Sequence, residues 1–244
     1  MTKPHHTPYL VKPGELRSFG RLANRMSADE QAQLEAELKA FAPVFSNDGL
    51  DVAATFGSLP GPLLVELGIG RGDQLLARAK ANPQGRFLGC EVFRNGLRFL
   101  LRHVQAEGVT NLRLFPEDAR TLLDRLPLAG VDVLMILYPD PWPKARHHKR
   151  RLVQTDVLTR VATVLKPGGV LHIVTDHDSY APWVEEKTDA HPAFARLDTA
   201  THQPPDGWHT TAYEQKALRE GRTPRYYRWR RVVDSAQISA EKKG

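Results

Sequence analysis

Short apolar runs alternate with helical patterns through the middle of the chain. Short apolar runs predict five buried strands, over residues 63–65, 86–90, 112–115, 131–138 and 170–174. Apolar residues at helical spacing predict helices between them, over residues 73–81, 95–107 and 151–165. Repeated strand–helix units are typical of a parallel sheet with helices on both faces. The pattern therefore predicts an α/β fold whose ligands bind beyond the carboxyl ends of the strands.

The two ends of the chain have a different character. Residues 1–20 are rich in Pro, His and Lys without a hydrophobic period, which predicts a basic arm. A capping box at Ser27–Glu30, followed by apolar residues at helical spacing, predicts a helix to about residue 42. Residues 46–61 are interpreted as a polar connector, and residues 225–230 as a strand at the edge of the sheet whose aromatic side chains are packed. We expect an arm with a helical extension at 1–60, the main domain at 61–232 and a tail at 233–244.

Composition excludes several classes of protein. The chain has 244 residues, of which 41% are hydrophobic, which is enough for a hydrophobic core that needs no disulfide or metal ion to stabilise it. The single cysteine, Cys90, cannot form an internal disulfide and is expected to be a core thiol. No apolar run approaches the roughly 18 residues of a membrane span, and the start lacks a signal peptide, so we expect a cytoplasmic protein. The net charge of +6 hints at a polyanionic partner because basic residues concentrate at 144–151 and 222–231.

A glycine turn follows the first predicted strand. Glu66 precedes the sequence G-x-G-x-G at residues 68–72. A dinucleotide-binding turn would have its third glycine one position later, and Asp73, which stands there, would repel a pyrophosphate at the helix start. S-adenosylmethionine, which carries no phosphate, fits better, and Glu91 has about the spacing of a ribose-binding acid. Structural glycines in an unrelated α/β protein remain the alternative.

Acidic side chains follow all five predicted strands, namely Glu66, Glu91, Asp118, Asp140 and Asp176. They are expected at one edge of the sheet. After the fourth strand, three prolines within residues 138–144 predict a stiff loop that holds Asp140 and Trp142 in place. A rigid proline turn with a packed tryptophan would account for Trp142, but it gives no reason for Asp140.

The adjoining basic run, residues 144–151, is either a solvated face or a set of phosphate contacts that position a nucleic acid. Its place beside the expected ligand edge favours the second interpretation. Two motifs invite a metal site. The pair His147-His148 lacks a matching ligand cluster, and the run Asp176-His177-Asp178 lacks further ligands, so no metal is predicted.

Together these motifs resemble the bacterial tRNA (guanine-N7)-methyltransferases over about residues 60–232. The segments that carry the resemblance are ELGIGRG at 66–72, GCEVFRNGL at 89–97, DAR at 118–120, YPDPWPKARHHKRRL at 138–152, LKPGG at 165–169 and TDH at 175–177. The resemblance implies a class I methyltransferase domain at 61–232, Rossmann-like, with seven strands and an antiparallel hairpin at one edge of the sheet. It implies S-adenosylmethionine as cofactor and, as target, N7 of guanine 46 in the variable region of tRNA.

The resemblance also implies roles for individual residues. Cofactor contacts fall on Glu66, Gly68, Gly70, Glu91, Asp118 and Asp140, and Asp140 also stands at the catalytic position. Substrate contacts fall on Lys144, Asp176, Thr211, Ala212, Tyr213 and Glu214. RNA contacts fall on Arg146, His147, His148, Lys149, Arg150 and Arg151. The family motif T-[KR]-[FY]-E has Ala212 in place of its basic residue, which puts that contact in doubt.

Guanine N7 carries a free lone pair, so orientation and charge are the work expected of such an enzyme. We hypothesise that Asp140 stabilises the positive charge that develops on the base or accepts a guanine N–H, while Asp176 or Glu214 recognises the Watson–Crick edge. Two alternatives remain at this point. One is a methyltransferase acting on an exocyclic amine of a nucleic acid, and the other is a non-catalytic RNA-binding protein with a relic methyltransferase fold. Whether the protein is a monomer or a homodimer is undetermined.

Overall fold

A computed structural model describes residues 26–198 and 201–232. The strands are β1 (Phe45–Ser46), β2 (Gly49–Leu50), β3 (Leu63–Leu67), β4 (Arg86–Cys90), β5 (Leu112–Phe115), β6 (Val131–Leu137), β7 (Leu165–Thr175), β8 (Phe194–Arg196) and β9 (Arg225–Arg231). The helices are α1 (Ala28–Ala40), α2 (Val52–Phe56), α3 (Asp73–Ala81), α4 (Arg94–Ala106), α5 (Ala119–Leu123), α6 (Thr155–Val164), α7 (Ala181–Asp189) and α8 (Ala212–Arg219), with a 3-10 helix at Ala145–Arg150.

The main sheet has seven strands in the order β5-β4-β3-β6-β7-β9-β8. The strands β3 to β7 pair in parallel, whereas β9 is antiparallel to both β7 and β8. This arrangement confirms the predicted α/β fold, including the antiparallel pair at one edge. The chain reverses strand order between β3 and β6, and the carboxyl ends beside that switch are where such sheets bind ligands.

Both faces of the sheet are covered, which explains the continuous apolar runs of its inner strands. Apolar side chains of α1, α3 and α4 pack in the core on one face. Side chains of α5, α6 and α7 pack in the core on the other. Every residue of β3 is buried as a result, including Glu66.

The predicted capping box begins α1. The Ser27 hydroxyl accepts from the Glu30 amide, and the Glu30 carboxylate accepts from the Ser27 amide. Glu30 and Glu35 pair with two arginines of α4, Arg98 at 2.7 Å and Arg94 at 2.9 Å, so the helix lies against the main domain. The predicted arm at 1–20 and the tail at 233–244 lie outside the described residues.

Several boundaries differ from the prediction. The expected connector at 46–61 contains β2 and α2, which the sequence interpretation missed because both elements are very short. The helix expected from residue 151 begins at Thr155, since the preceding basic residues form the 3-10 helix and Gln154 is extended. Strand β9 is not the edge of the sheet, because β8 pairs with its outer side. The aromatic residues of β9 are buried, as predicted.

A search of the described residues for a helix long and apolar enough to cross a membrane finds none.

Candidate active site

The glycine turn joins β3 to α3 at the ligand-binding edge. The amides of Gly68 and Ile69 both donate to the Cys90 carbonyl, at 3.0 and 3.1 Å, and so tie the turn to β4. Gly68 and Gly70 have φ of +76° and +57°, where residues with a Cβ are strained. A Cβ at either glycine would meet no described atom within 4 Å. The turn therefore borders open space on the side where a ligand would lie.

Glu91 fastens this turn to the start of α4. One carboxylate oxygen accepts from the Gly70 amide at 2.7 Å. The other accepts from the amides of Val92 and Phe93, both at 2.8 Å. A carboxylate has roughly four acceptor positions, so three backbone bonds still leave capacity for a ligand hydroxyl.

Glu66 lies within β3 rather than after it, and its side chain points to the face covered by α3. Its Oε2 has no hydrogen-bond partner among the described residues. Burial raises the pKa of this carboxyl to about 8, against the opposing charge of Arg78, and the charges of Asp73 and Glu91 raise it further. A buried acceptor without a donor is costly, so the position suits a ligand that brings a donor or a positive charge.

The polar interior continues from Glu66 toward β7. Arg78 and Gln74 of α3 and His172 of β7 each have a buried nitrogen without a hydrogen-bond partner among the described residues. Burial lowers the pKa of His172 to about 3, assisted by the positive charge of Arg78. The Trp208 ring lies 5.4 Å from the His172 ring, centroid to centroid. The sequence interpretation missed this group because polar residues on a helix are typical of a solvent-facing side.

Three acids surround the carboxyl end of β4. Burial raises the pKa of the Cys90 thiol, and the charges of Glu91, Asp118 and Glu66 raise it further. Cys90 itself is buried, as expected of a core thiol. Asp118 caps α5, with its Oδ1 accepting from the Arg120 amide at 2.8 Å. The structure thus brings the predicted acids of the first three parallel strands together.

The loop after β6 presents Asp140 under backbone strain. Tyr138 and Trp142, on either side of it, have φ of +50° and +41°. Positive φ in bulky residues persists only where the surroundings hold it, and such strain concentrates at functional sites. Asp140 is exposed. The loop stays next to β7 because the Tyr138 amide donates to the Val174 carbonyl at 2.8 Å.

The late motif, Thr211–Glu214, opens α8 and contacts both preceding loops. The Thr211 hydroxyl caps the helix by accepting from the Glu214 amide at 3.0 Å. The Ala212 amide donates to the Asp73 carboxylate at 2.8 Å, which ties α8 to the glycine turn. The Tyr213 ring packs 5.0 Å from the Tyr138 ring, at the base of the Asp140 loop.

Glu214 is buried and already engaged. Its Oε2 accepts from the Trp208 indole at 2.8 Å, and its Oε1 accepts from the Tyr226 hydroxyl. These partners fix the carboxylate between α8 and β9.

Asp176, which follows β7, pairs with Arg222 in a partly exposed contact. The same guanidinium donates to the Tyr213 hydroxyl at 3.2 Å, so Asp176 joins the late motif through Arg222. Nothing in the sequence distinguished Arg222 from its basic neighbours.

The basic block forms a turn of 3-10 helix beside the Asp140 loop. Lys144, Arg146 and Lys149 are exposed, and His147, His148 and Arg150 are half-buried. Arg151 corrects the sequence interpretation. Its side chain is only 1% exposed and donates to the Pro141 carbonyl, so it does not reach an RNA phosphate in this conformation.

In the second basic group, Arg231 is buried and Arg222 and Arg225 are half-buried, whereas Arg228 and Arg230 are exposed. Arg225 pairs with Asp178 at 2.8 Å, Arg228 pairs with Asp198, and Arg231 donates to the Leu165 carbonyl. Within the two described ranges, no group of three His, Cys, Asp or Glu side chains could hold a metal ion.

The comparisons of sequence identify a methyltransferase family. The sequence model of a family described as putative methyltransferases matches residues 60–225. A tRNA (guanine-N(7)-)-methyltransferase from Roseobacter denitrificans is 38% identical over 236 residues, covering 92% of this chain and 96% of the relative. One of the same name from Paramagnetospirillum magneticum is 44% identical over 170 residues, covering 68% of this chain and 71% of the relative.

Solved structures share the fold at low identity. The 16S rRNA methyltransferase KamB has a TM-score of 0.51 at 16% identity, covering 89% of this chain and 99% of that one. The [4+2]-cyclase SpnF has a TM-score of 0.52 at 15% identity, covering 89% of this chain and 87% of that one. Because proteins of such different titles share it, the fold alone does not assign the reaction.

Proposed function

This chain belongs to the family of bacterial tRNA (guanine-N7)-methyltransferases, and from that premise we propose how its residues methylate N7 of a guanine in tRNA with S-adenosylmethionine as donor. The relatives that bear the name of this activity match this chain over most of their length. One structural observation carries the assignment of residues. The late motif is bonded to the glycine turn through Asp73 and packed on the Asp140 loop through Tyr138, so the segments implied for cofactor and for substrate adjoin.

The residues at the glycine turn fit S-adenosylmethionine. Open space beside Gly68 and Gly70 leaves room for a ligand against the backbone, and the Oε2 of Glu66, which has no partner among the described residues, offers an acceptor to a cationic group. We assign the ribose hydroxyls to Glu91 and a further polar contact to Asp118. When bound, the cofactor supplies an electrophilic methyl group on a sulfonium.

The protein's contribution to the transfer is orientation and charge, because guanine N7 needs no base to remove a proton. Asp140, exposed on a strained loop, is assigned to the edge of the target base. Its carboxylate stabilises the positive charge that develops on guanine as N7 is alkylated. A loop with three prolines holds that charge in place before the reaction, so little reorganisation is needed.

Recognition of the guanine is assigned to Asp176 rather than Glu214. Guanine presents N1–H and N2–H donors to a carboxylate, and adenine lacks this pair. Both oxygens of Glu214 are used inside the protein. Asp176 pairs with Arg222, whose side chain is 31% exposed and has room to rearrange when a base approaches. Thr211 and Glu214 then serve to position Tyr213.

The exposed cations beside this loop are assigned to tRNA phosphates. Arg146 and Lys149 lie in the 3-10 helix and Lys144 directly precedes it, so three positive charges lie close together along the chain. Guanine 46 in the variable region is the proposed target, and the base must leave its stack to enter the pocket.

The test is transfer of labelled methyl groups to an unmodified tRNA transcript, with nuclease digestion and mass spectrometry of the products. We expect 7-methylguanosine at position 46 and no product on a transcript carrying adenosine there. Methylation of an exocyclic amine would favour the first alternative, and absence of both transfer and cofactor binding would favour a relic fold. Replacing Asp140 by Asn should lower the transfer rate by two or more powers of ten, the range of a lost electrostatic contact.

A further inference from the structure

Arg151 is the buried member of an otherwise accessible basic block. It directly follows the 3-10 helix, and its amide donates to the His148 carbonyl at 3.0 Å. The side chain then turns inward, with 1% of its surface exposed. Burying a guanidinium is costly unless its donors find acceptors, so its contacts indicate what it does.

The contacts of Arg151 lie on two different elements. Its Nε donates to the Pro141 carbonyl at 2.9 Å, in the Asp140 loop. Its Nη2 donates to the Ser179 hydroxyl at 3.4 Å, just before α7. The guanidinium carbon lies 5.0 Å from the Tyr180 ring centroid and 4.9 Å from that of Trp183, so aromatic rings hold the group as well.

Those two rings are themselves fixed to the backbone of Val153. The Tyr180 hydroxyl accepts from the Val153 amide at 3.1 Å, and the Trp183 indole donates to the Val153 carbonyl at 2.7 Å. Arg151 therefore sits in a rigid cage and has a defined direction toward Pro141. A lysine has neither the flat faces nor the forked donors that this cage fits.

The Asp140 loop needs such an anchor for a chemical reason. Pro139, Pro141 and Pro143 have no backbone N–H, so at these three positions the backbone can form hydrogen bonds only through its carbonyl oxygens. The carbonyl that Arg151 binds belongs to the residue next to Asp140. The positive φ values of Tyr138 and Trp142 show that the loop is held away from relaxed geometry.

We propose that Arg151 is a positioning residue that sets the place of Asp140 through the Pro141 carbonyl, and that it does not bind RNA. This rests on the proposed function, since it assigns Arg151 to the same reaction. The phosphate-binding role belongs to exposed members of the block, such as Arg146.

The experiment compares Arg151→Met and Arg151→Lys with Arg146→Met as the matched surface control. The single-turnover rate is measured with saturating tRNA and cofactor, and tRNA affinity is measured over a range of salt concentrations. Removing one phosphate contact lowers the slope of log K against log salt by about 0.9. We expect that loss for Arg146→Met, with weaker binding.

For Arg151→Met we expect an unchanged salt slope and a rate lower by on the order of 100-fold, the cost of about 1 Å of misplacement. Arg151→Lys should recover part of the rate, because an ammonium can still reach one carbonyl. It also replaces Arg151→Met if that variant fails to fold, as judged by its thermal melt. A salt slope that falls as in Arg146→Met would overturn the proposal.

A double-mutant cycle with Asp140→Asn tests the route of the effect. If Arg151 acts only by placing the Asp140 carboxylate, Arg151→Met should not slow Asp140→Asn further. Multiplying rate losses would show that Arg151 acts elsewhere and would also overturn the proposal. Failure of the wild-type enzyme to methylate tRNA would instead count against the proposed function.

Discussion

Gly96, in the first turn of α4, lies directly against the glycine turn. A Cβ added there would stand 2.0 Å from the Gly70 carbonyl oxygen, and the neighbouring atom is backbone, which cannot rotate away. On helix propensity alone, Gly96→Ala should stabilise α4 by roughly 0.5–1 kcal/mol. The clash should destabilise the variant, whereas the helix propensity of alanine should stabilise it. The measured change in stability therefore shows which effect is larger.

The size of the effect follows from the geometry. Ordinary contact begins at 3.4 Å, so α4 and the turn must separate by about 1.4 Å. Such a shift strains the 2.7 Å bond between the Gly70 amide and Glu91. A hydrogen bond to a charged group contributes about 1.5–3 kcal/mol, which corresponds to roughly 10- to 100-fold in an equilibrium constant. We expect Gly96→Ala to weaken S-adenosylmethionine binding by roughly that factor.

Isothermal titration calorimetry measures the cofactor affinity, and a thermal melt measures stability. Gly57→Ala is the control, because a Cβ on Gly57 would meet nothing within 4 Å, although its φ of +63° strains an alanine. The control should lose some stability through backbone strain and keep its cofactor affinity. Wild-type affinity in Gly96→Ala, combined with a higher melting temperature, would refute the reasoning.

Three further predictions concern single contacts. Burial raises the pKa of Glu66 to about 8 in the folded protein, whereas its pKa in the unfolded chain is near 4.5. The unfolded chain therefore loses this proton first, so the free energy of unfolding should fall as the pH rises between these two values. Glu66→Gln should flatten that part of the curve in urea titrations, and a slope as steep as the wild type's would contradict it. Tyr226→Phe removes a donor from the buried Glu214 and should cost about 1–3 kcal/mol of unfolding free energy by the same method, so equal stability would argue against the contact. Lys149→Ala should lower the salt slope of tRNA binding by about 0.9 in filter-binding assays, and an unchanged slope would remove Lys149 from the interface.

The parallel strands were predictable because burial on both faces leaves a continuous apolar signal. Strand β4 begins and ends at the predicted residues, and so does β5. Capping chemistry located α1 for a similar reason, since Ser27 and Glu30 act within one turn of chain. Such signals are local, so a sequence carries them without knowledge of the fold.

Contacts between distant segments carry no comparable signal. The hydrogen bond between Asp73 and Ala212 spans 139 residues of sequence. From the sequence alone, Asp73 was interpreted only as a charge at the start of a helix. Arg151 has the same kind of side chain and the same basic neighbours as the accessible residues before it. Only the contacts with the rings of Tyr180 and Trp183 account for the inward direction of its side chain. The positions of the carboxyl ends of the strands were predictable, whereas the residues that each side chain contacts were not.

Environment divides the acids at this edge into different tasks, although the sequence presents them as one set. Backbone amides hold Glu91, which therefore shapes the turn while keeping capacity for a ligand. Glu66 has no partner at its Oε2 among the described residues, and burial raises its pKa despite the charge of Arg78, so a cationic ligand would favour its ionised form. Asp176 is buried and paired with Arg222, whereas Asp140 is exposed on a strained loop. In the proposed reaction, a cationic donor and a base that becomes cationic would thus meet carboxylates in different environments, which is the requirement for binding one firmly while stabilising the charge that develops on the other.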